Sequence, residues 1–416
     1  MIKSFIPVSQ DCDFPIQNLP YGVFRSNNES ENHIGVAIGN YILDLKILED
    51  EGIFRYSNLE DTKVFYEKSL NRFLSLGRKN HKILREIIQK LLLEDNPEIR
   101  DNKILREKCF VKMSEAEMVI PVEIGDYTDF YSSREHATNV GIMFRGKENA
   151  LMPNWLHLPV AYHGRASSVV ISGTEIVHPE GQIKPADKDF PEFSKSKELD
   201  FELEVGFIIG EKSILGNPIP IENTNDYIFG MVLVNDWSAR DIQRWEYVPL
   251  GPFLAKNFAT SISPWIVTLE ALEPFKTKGP EQFPSPLPYL KTIGNPTYNI
   301  NLEVYIKTEK MSVPYLISKS NFKYLYWNIY QQLAHHTVNG CNINPGDLMA
   351  SGTISGSDKS SFGSMLELSW KGTNPIKLPD GEERKFLEDG DEVFIKGYCQ
   401  GDGYRVGFGE VTGKIS

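Results

Sequence analysis

Polar and apolar residues alternate most regularly over residues 200–207, Asp-Phe-Glu-Leu-Glu-Val-Gly-Phe. This is the two-residue period of a β-strand, in which successive side chains point to opposite faces. The apolar side chains therefore share one face, and Glu202 and Glu204 share the other. Two neighbouring carboxylates repel each other. The pattern thus leaves two interpretations, a solvated sheet face or a pair that holds a cation.

Strand-like segments fill most of the chain after residue 120, separated by turns rich in glycine and proline. The pattern predicts strands at residues 169–171, 201–209, 229–234, 265–269, 301–306, 365–370 and 392–398. A helical period appears at residues 83–92, and a second helix is predicted between Ser320 and Gly340. We expect a mainly β protein with a domain boundary between residues 118 and 119.

Composition and charge exclude several classes of protein. The chain has 416 residues and a net charge of −12, without a basic stripe, which argues against nucleic acid as a partner. No apolar run has the length of a membrane span, and the N-terminus lacks the apolar core of a signal peptide. The cysteines form no CxxC pair, which fits free thiols in a reducing compartment. We therefore expect a cytoplasmic protein that does not bind membranes.

Two further carboxylates are candidate metal ligands. Asp129 lies in the segment Gly-Asp-Tyr-Thr-Asp-Phe-Tyr, and Asp236 follows an apolar strand segment. With Glu202 and Glu204 they would form the all-oxygen set that Ca²⁺ or Mg²⁺ prefers, and the absence of histidine and cysteine there argues against zinc. The alternative is that both aspartates are ordinary turn or capping residues.

His136 is the leading candidate for a general base. Ser132 and Glu135 have the spacing of a capping box, which predicts a helix with His136 in its first turns. The helix dipole there favours the neutral imidazole that a base requires. His163 is the rival, and a structural role is the alternative for each histidine. Glu367 is a candidate partner, because a buried carboxylate needs one and can orient an imidazole.

A polar segment after Asp236 could meet an anionic substrate or developing negative charge. Its candidate residues are Arg240, Gln243, Trp245, Tyr247 and Lys256. The alternative for each is a surface side chain. The chain has neither a Walker A pattern nor a Gly-x-Gly-x-x-Gly after a strand, so nucleotide binding is not expected.

Several longer stretches resemble one known family. The first, residues 126–141, is Asp-Tyr-Thr-Asp-Phe-Tyr-Ser-Ser-Arg-Glu-His-Ala-Thr-Asn-Val-Gly, and the others are residues 152–155, 162–168, 235–243, 245–253, 350–356 and 397–405. Together they make the chain similar to the fumarylacetoacetate hydrolase family from Ser4 to about Glu410. The resemblance implies a small N-terminal SH3-like β-barrel domain (residues 1–118), a larger mixed β-roll catalytic domain (residues 119–416) and a homodimer.

The resemblance also implies a reaction and its residues. The reaction would be hydrolysis of a small diketo acid, 4-fumarylacetoacetate, to fumarate and acetoacetate, the last step of tyrosine and phenylalanine catabolism. The calcium ligands would be Asp129, Glu202, Glu204 and Asp236, and a nearby magnesium would be surrounded by Asp236, Lys256 and Thr260. His136 would accept a proton while oriented by Glu367, and negative charge would be stabilised by Arg240, Gln243 and Lys256. Substrate would be contacted by Tyr131, Arg145, Gln243, Tyr247 and Thr353.

One departure and two alternatives accompany the resemblance. Ala259 stands where the family usually has glycine, and a positive φ there would strain the magnesium segment. Other members of the wider superfamily hydrolyse acylpyruvates, or hydrate, isomerise or decarboxylate 2-oxo acids. An acidic cluster is also compatible with a calcium-dependent binding module that has no turnover.

Overall fold

The computed structural model describes residues 2–26, 30–55, 57, 59 and 62–416. The first part of the chain forms a five-stranded antiparallel sheet with helices around it. Its strands, in spatial order, are Phe110–Lys112, Tyr41–Asp44, His33–Ile38, Tyr21–Ser26 and Ala116–Val119. Its helices are Leu45–Asp50, Asn71–Leu74, Arg78–Leu92, Pro97–Arg100 and Lys103–Cys109. The helix predicted at residues 83–92 is confirmed.

A mixed sheet of eight strands forms the centre of the molecule. Its strands, in spatial order, are Ala161–His163, Tyr127–Phe130, Leu348–Ala350, Leu203–Ile209, Ile228–Asp236, Thr260–Ile262 and Val169–Ile171, and Val267–Thr268 also pairs with Ile228–Asp236. Parallel pairs join Thr260–Ile262 to Val169–Ile171 and Leu348–Ala350 to Tyr127–Phe130.

A four-stranded antiparallel sheet packs on the central sheet. It consists of Tyr315–Asn321, Asn301–Lys307, Glu392–Gln400 and Arg405–Lys414. Two-stranded sheets pair Glu180–Ile183 with Glu192–Lys195, Leu199–Asp200 with Ser238–Ala239, Lys276–Thr277 with Thr297–Tyr298, and Ile376–Lys377 with Glu383–Arg384. The helices of this part are Arg134–Arg145, Thr224–Tyr227, Arg240–Glu246, Leu269–Leu272, Ile329–Thr337 and Met365–Leu368. The prediction of a mainly β protein is confirmed.

The central sheet is covered on both faces. Phe207 packs in the same core cluster as the four-stranded sheet, whereas Ile208 and Val232 pack among the apolar residues of the first part of the chain. Backbone hydrogen bonds between Tyr21 and Ile266, of 3.0 and 2.8 Å, join the first part directly to the second. Because both faces are buried, the solvated face considered for Glu202 and Glu204 is excluded.

One predicted element is of the wrong type, and a predicted helix is confirmed but begins later than expected. Residues 365–370 contain the helix Met365–Leu368, which begins after Ser364, whose Oγ accepts a hydrogen bond from the Glu367 amide at 3.3 Å. The helix expected directly after Ser320 begins only at Ile329, behind an Asn328 capping box. In both cases an apolar pattern fits strand and helix almost equally, and the capping residue decides. Across the described ranges, no helix has both the length and the apolar character needed to cross a bilayer.

His81, in the helix Arg78–Leu92, is a buried histidine of the first part of the chain. Its ring lies 4.8 Å from the Phe73 ring and 4.9 Å from the Phe229 ring, measured between centroids. Its Nε2–H donates to the carbonyl oxygens of Phe73 and Leu74, each at 3.1 Å. Burial lowers the pKa of His81 from 6.5 to about 4.

We expect acid to destabilise the protein through His81. Between pH 6.5 and about pH 4 the unfolded chain protonates this imidazole while the folded chain does not, so the free energy of unfolding falls as the pH falls. The full loss is about 3 kcal/mol. Urea unfolding of the wild type and His81→Gln across this range measures it. Glutamine keeps an N–H donor but does not titrate, so an equally steep pH dependence in both proteins would contradict the assignment.

Candidate active site

Three strands of the central sheet, Tyr127–Phe130, Leu203–Ile209 and Ile228–Asp236, bring three buried carboxylates together. Oxygens of Asp129, Glu204 and Asp236 lie within 4.8 Å of one another. Asp129 Oδ1 and Glu204 Oε1 have no hydrogen-bond partner among the described residues, although the Gly352 amide donates to Glu204 Oε2 at 3.0 Å. Unpaired buried carboxylate oxygens are costly. An all-oxygen set with two unsatisfied members therefore fits a hard divalent cation.

Burial and neighbouring carboxylates raise the pKa of all three carboxyl groups. Burial, and then the charge of Asp236, raise the pKa of Asp129 well above its ordinary value. Burial, Asp129 and Asp236 do the same to the pKa of Glu204. The pKa of Asp236 is also raised, chiefly by burial. A bound cation would favour the ionised forms and so remove this penalty.

Glu202 differs from these three carboxyl groups, because cationic side chains keep it ionised. It is 4 % exposed and accepts a hydrogen bond from Arg240 Nη2 at 2.6 Å and another from Lys256 Nζ. Burial raises its pKa, but Arg240 and Lys256 outweigh burial, so the pKa lies below its ordinary value. Glu202 is thus balanced by the chain's own cations and does not belong to the converging group of three.

Asp236 is surrounded by the residues that were expected around a magnesium ion. Lys256 Nζ lies 2.5 Å from Asp236 Oδ2, and Thr260 Oγ1 donates to Asp236 Oδ1 at 3.1 Å. Tyr162 OH also donates to Oδ2, at 3.2 Å. Ala259 is not among the described non-glycine residues with positive φ, so the anticipated strain is absent.

His136 and Glu367 form a buried pair. The helix Arg134–Arg145 begins one residue later than predicted, because Ser133 rather than Ser132 caps it, and Ser133 Oγ accepts from the His136 amide at 3.2 Å. Ser132 Oγ instead accepts from Gln332 Nε2 at 2.9 Å. The predicted position of His136 in the first turn is nevertheless correct, and its Nδ1 lies 2.7 Å from Glu367 Oε2.

The Glu367 carboxylate has four side-chain donors. Besides His136, it accepts from Ser355 Oγ at 2.8 Å, Ser364 Oγ at 2.9 Å and Asn139 Nδ2 at 2.9 Å. Burial raises the pKa of Glu367, but the combined effect of His136 and these hydrogen bonds is larger and lowers the pKa below its ordinary value. The carboxyl group is therefore ionised. An ionised Glu367 places the proton of His136 on Nδ1 and leaves Nε2 as the basic nitrogen. His136 Nε2 lies 3.8 Å from Glu202 Oε1.

One cavity of about 310 Å³ is lined by Asp129, Glu202, Glu204 and His136 together with the polar segment, whereas Asp236 lines a second cavity. All the residues expected to contact substrate line it, namely Tyr131, Arg145, Gln243, Tyr247 and Thr353. Arg240 and Lys256 also line it, whereas Trp245 and His163 do not. His163 lines that second cavity of about 170 Å³, whose wall also includes Asp236 and Lys256.

Three residues of the site were missed by sequence reasoning. Tyr162 contacts Asp236, Asn139 contacts Glu367, and Asp200 contacts Arg240 at 2.8 Å. Asp200 had a signal, because it shares the strand parity of Glu202. Asn139 had a weaker one, since it follows His136 by three residues on the same helix.

Comparison with known proteins identifies relatives over the whole chain. Family models match residues 126–416 (fumarylacetoacetate hydrolase C-terminal) and residues 17–121 (fumarylacetoacetase N-terminal). The fumarylacetoacetase of Dictyostelium discoideum is 58% identical over 419 residues, covering 100% of this chain and 98% of the relative. The human fumarylacetoacetase is 59% identical over 413 residues, covering 99% and 98%.

Solved structures share the fold at lower identity. A fumarylacetoacetate hydrolase from Exiguobacterium antarcticum superposes with a TM-score of 0.54 at 16% identity, covering 96% of this chain and 99% of that one. A maleylpyruvate hydrolase from Sphingobium sp. SYK-6, solved with manganese(II) and pyruvate, gives 0.50 at 14% identity, covering 95% and 98%. At these identities the likeness extends to the fold alone. The sequence matches over the full length carry the assignment, and the chain belongs to the fumarylacetoacetate hydrolase family.

Proposed function

We propose that the protein hydrolyses the carbon–carbon bond of fumarylacetoacetate to give fumarate and acetoacetate, the last step of tyrosine and phenylalanine catabolism. The full-length identity to fumarylacetoacetases supports the substrate. The observation that carries the chemistry is the His136–Glu367 pair, whose histidine lines the same cavity as Asp129 and Glu204, the two carboxylates on which Asp236 converges.

The carboxylates would hold a divalent cation. Asp129, Glu204 and Asp236 offer converging oxygens, and Lys256 Nζ contacts both Asp236 and Glu202, the fourth expected calcium ligand. Lys256 and Thr260, both in contact with Asp236, would adjoin a magnesium ion. When bound, such a cation supplies a Lewis acid for the diketone oxygens.

His136 acts as the general base. Glu367 fixes the ring through Nδ1, so Nε2 can take a proton from a water molecule in the cavity. The resulting hydroxide adds to the ketone carbonyl next to the fumaryl double bond and forms a tetrahedral oxyanion. Collapse of this intermediate breaks the carbon–carbon bond, with fumarate formed on one side and the acetoacetate carbanion leaving on the other.

Cationic and amide groups of the cavity stabilise the negative charge. Arg240, Gln243 and Lys256 all line it and offer N–H donors. Burial would lower the pKa of Lys256, but Asp236 and Glu202 raise it overall, so this ammonium keeps its proton. His136, which has taken up the proton from water, returns that proton to the carbanion.

Arg145 is suited to a substrate carboxylate. Its Nε and Nη2 donate to the carbonyl oxygens of Asn149 and Ala150, at 3.1 and 2.7 Å, which fixes the guanidinium at the cavity wall. Its remaining N–H groups can pair with an anion. Tyr131, Gln243, Tyr247 and Thr353 would complete the contacts to substrate.

The proposal includes the oligomeric state and the domain organisation of the protein. The protein would be a cytoplasmic homodimer, with an SH3-like domain over residues 1–118 and the catalytic domain over residues 119–416. The five-stranded sheet supports the first domain. Exposed apolar side chains near the cavity mouth, Val248, Leu250 and Phe253, support burial against a second copy. Light scattering after size exclusion measures the mass directly.

An assay of the purified wild type tests the activity. We expect fumarylacetoacetate to lose its ultraviolet absorbance, with fumarate and acetoacetate formed in equal amounts. Acylpyruvates and 2-oxo acids, run in parallel, should turn over much more slowly. Chelation should abolish turnover, and adding back Ca²⁺ or Mg²⁺ separately should show which ion restores it. Faster turnover of an acylpyruvate would favour the alternative hydrolase, and no turnover of any diketo acid with either ion present would favour a binding module.

A further inference from the structure

Asp200 is a buried carboxylate that the mechanism above does not use. Its exposed fraction is 0%, and it is not among the residues that line the cavity. It nevertheless accepts three hydrogen bonds from groups on two different elements. The two elements are the helices Arg240–Glu246 and Met365–Leu368, and both carry residues of the site.

On one side Asp200 orients Arg240. Arg240 Nε donates to Asp200 Oδ2 at 2.8 Å, while Nη2 donates to Glu202 Oε1 at 2.6 Å and Nη1 to Gln243 Oε1 at 3.2 Å. A guanidinium held at all three nitrogens has one orientation. Without Asp200 the group would be held only from the cavity side, by residues that must also serve substrate.

On the other side Asp200 fixes the start of the helix that carries Glu367. The amide of Met365 donates to Asp200 Oδ1 at 2.6 Å and the amide of Leu366 to Oδ2 at 3.1 Å. The helix Met365–Leu368 has four residues, too few to be stable by itself. The Leu203 amide also donates to the Gly363 carbonyl at 2.9 Å, so the two segments run side by side.

We propose that Asp200 is a positioning residue that fixes Arg240 and the His136–Glu367 pair in one geometry. The Asp200 carboxylate therefore sets the distance between His136, the base, and Arg240, which stabilises the negative charge of the reaction. The proposal rests on the proposed function for its kinetic test, but not for its spectroscopic test. Displacement of reacting groups by 1 Å can cost about 10²-fold in rate.

The variant Asp200→Asn tests this role. The amide keeps nearly the same shape but puts an NH₂ group either against the Met365 amide or against both Arg240 Nε and the Leu366 amide. We expect kcat to fall by about 10²-fold and KM to change little, because Asp200 does not line the cavity. The matched control is Asp391→Asn, another buried aspartate that accepts from an arginine, Arg384 Nε at 2.8 Å, and from a backbone amide, Glu388 at 3.0 Å. Asp391 lies outside the cavity lining, so its variant should keep the wild-type kcat.

Double variants separate positioning from general destabilisation. If Asp200 acts through Glu367 and Arg240, the loss caused by Asp200→Asn should be smaller in a Glu367→Gln or Arg240→Lys background than in the wild type. Losses that multiply fully in both backgrounds, or a folded Asp200→Asn protein with wild-type kcat, would overturn the proposal. If Asp200→Asn does not fold, Asp200→Glu replaces it, since the longer side chain keeps the charge but cannot keep all three bonds. Wild-type kcat in that variant would equally overturn it.

A substrate-free measurement keeps this proposal distinct from the proposed function. The Nδ1–H proton of His136, bonded to Glu367, should give a low-field NMR signal that is absent in His136→Ala. Asp200→Asn should shift or broaden this signal, and Asp391→Asn should not. If the wild type fails to hydrolyse fumarylacetoacetate, the proposed function fails while this signal still tests Asp200. An unchanged signal in Asp200→Asn would overturn the role of Asp200 whatever the substrate.

Discussion

His136→Asn is expected to lower kcat by about 10²–10⁴-fold, the usual contribution of a general base. The asparagine amide can occupy the place of Nδ1–H and still donate to Glu367, so the buried carboxylate keeps its partner. What the variant lacks is Nε2, the nitrogen that faces the cavity. The loss should therefore appear in kcat, while bound metal and thermal stability stay near those of the wild type. Steady-state kinetics, metal analysis and thermal unfolding measure the three quantities.

His163→Asn is the matched control for that prediction. His163 is a histidine of the same region, but it is exposed and does not line the cavity that contains His136. Its replacement should leave kcat within a small factor of the wild type. Wild-type turnover in His136→Asn, or an equal loss in both variants, would refute the assignment of the base.

Glu204→Gln is expected to weaken metal binding by about 10²-fold or more, since even loss of a residue that only supports a ligand costs 10–100-fold. The same change should leave the metal-free protein as stable as the wild type or more stable. Glutamine can still accept from the Gly352 amide, and it removes a carboxylate whose Oε1 has no partner among the described residues. Calorimetric titration with Ca²⁺ or Mg²⁺ measures affinity, and thermal unfolding in chelator measures stability.

Glu202→Gln provides the contrast. Glu202 is bonded to Arg240 and Lys256, so its neutralisation removes one of the two carboxylates that each of these buried cations contacts. Removing one partner of a buried ion pair costs up to about 3–5 kcal/mol. The metal-free Glu202 variant should therefore unfold at a clearly lower temperature than the Glu204 variant. Equal stabilities of the two metal-free variants would contradict the conclusion that Glu202 is paired with cations and Glu204 is not.

The alternation at residues 200–207 predicted the strand and the shared face of its acidic residues, but not their separate roles. Those roles depend on which cation or carboxylate each residue meets, and Arg240, Lys256 and Asp129 come from other parts of the chain. Periodicity carries no information about such partners. The resemblance to a family named the residues of the cavity, and the structure brings them together.

The helix that carries Glu367 shows why some local predictions failed. The sequence Met-Leu-Glu-Leu has enough alternation of polar and apolar residues to fit a strand. The Ser364 cap and the acceptor Asp200 stabilise a helix there instead. Asp200 is far from residue 365 in sequence, so a local pattern cannot include it. For the same reason the capping residue of the His136 helix was misplaced by one, because Gln332 takes the hydroxyl of Ser132.

The contact between the first part of the chain and the central sheet has a consequence for inherited or engineered variation. Ile208 and Val232 pack against apolar residues that lie more than a hundred positions earlier, on the same strands that carry Glu204 and Asp236. A substitution that loosens the packing of these earlier apolar residues would shift the two strands and move Glu204 and Asp236 apart. Loss of catalytic competence could thus arise from residues that never approach the substrate, and a damaged enzyme of this kind would be a target for small molecules that restore folding.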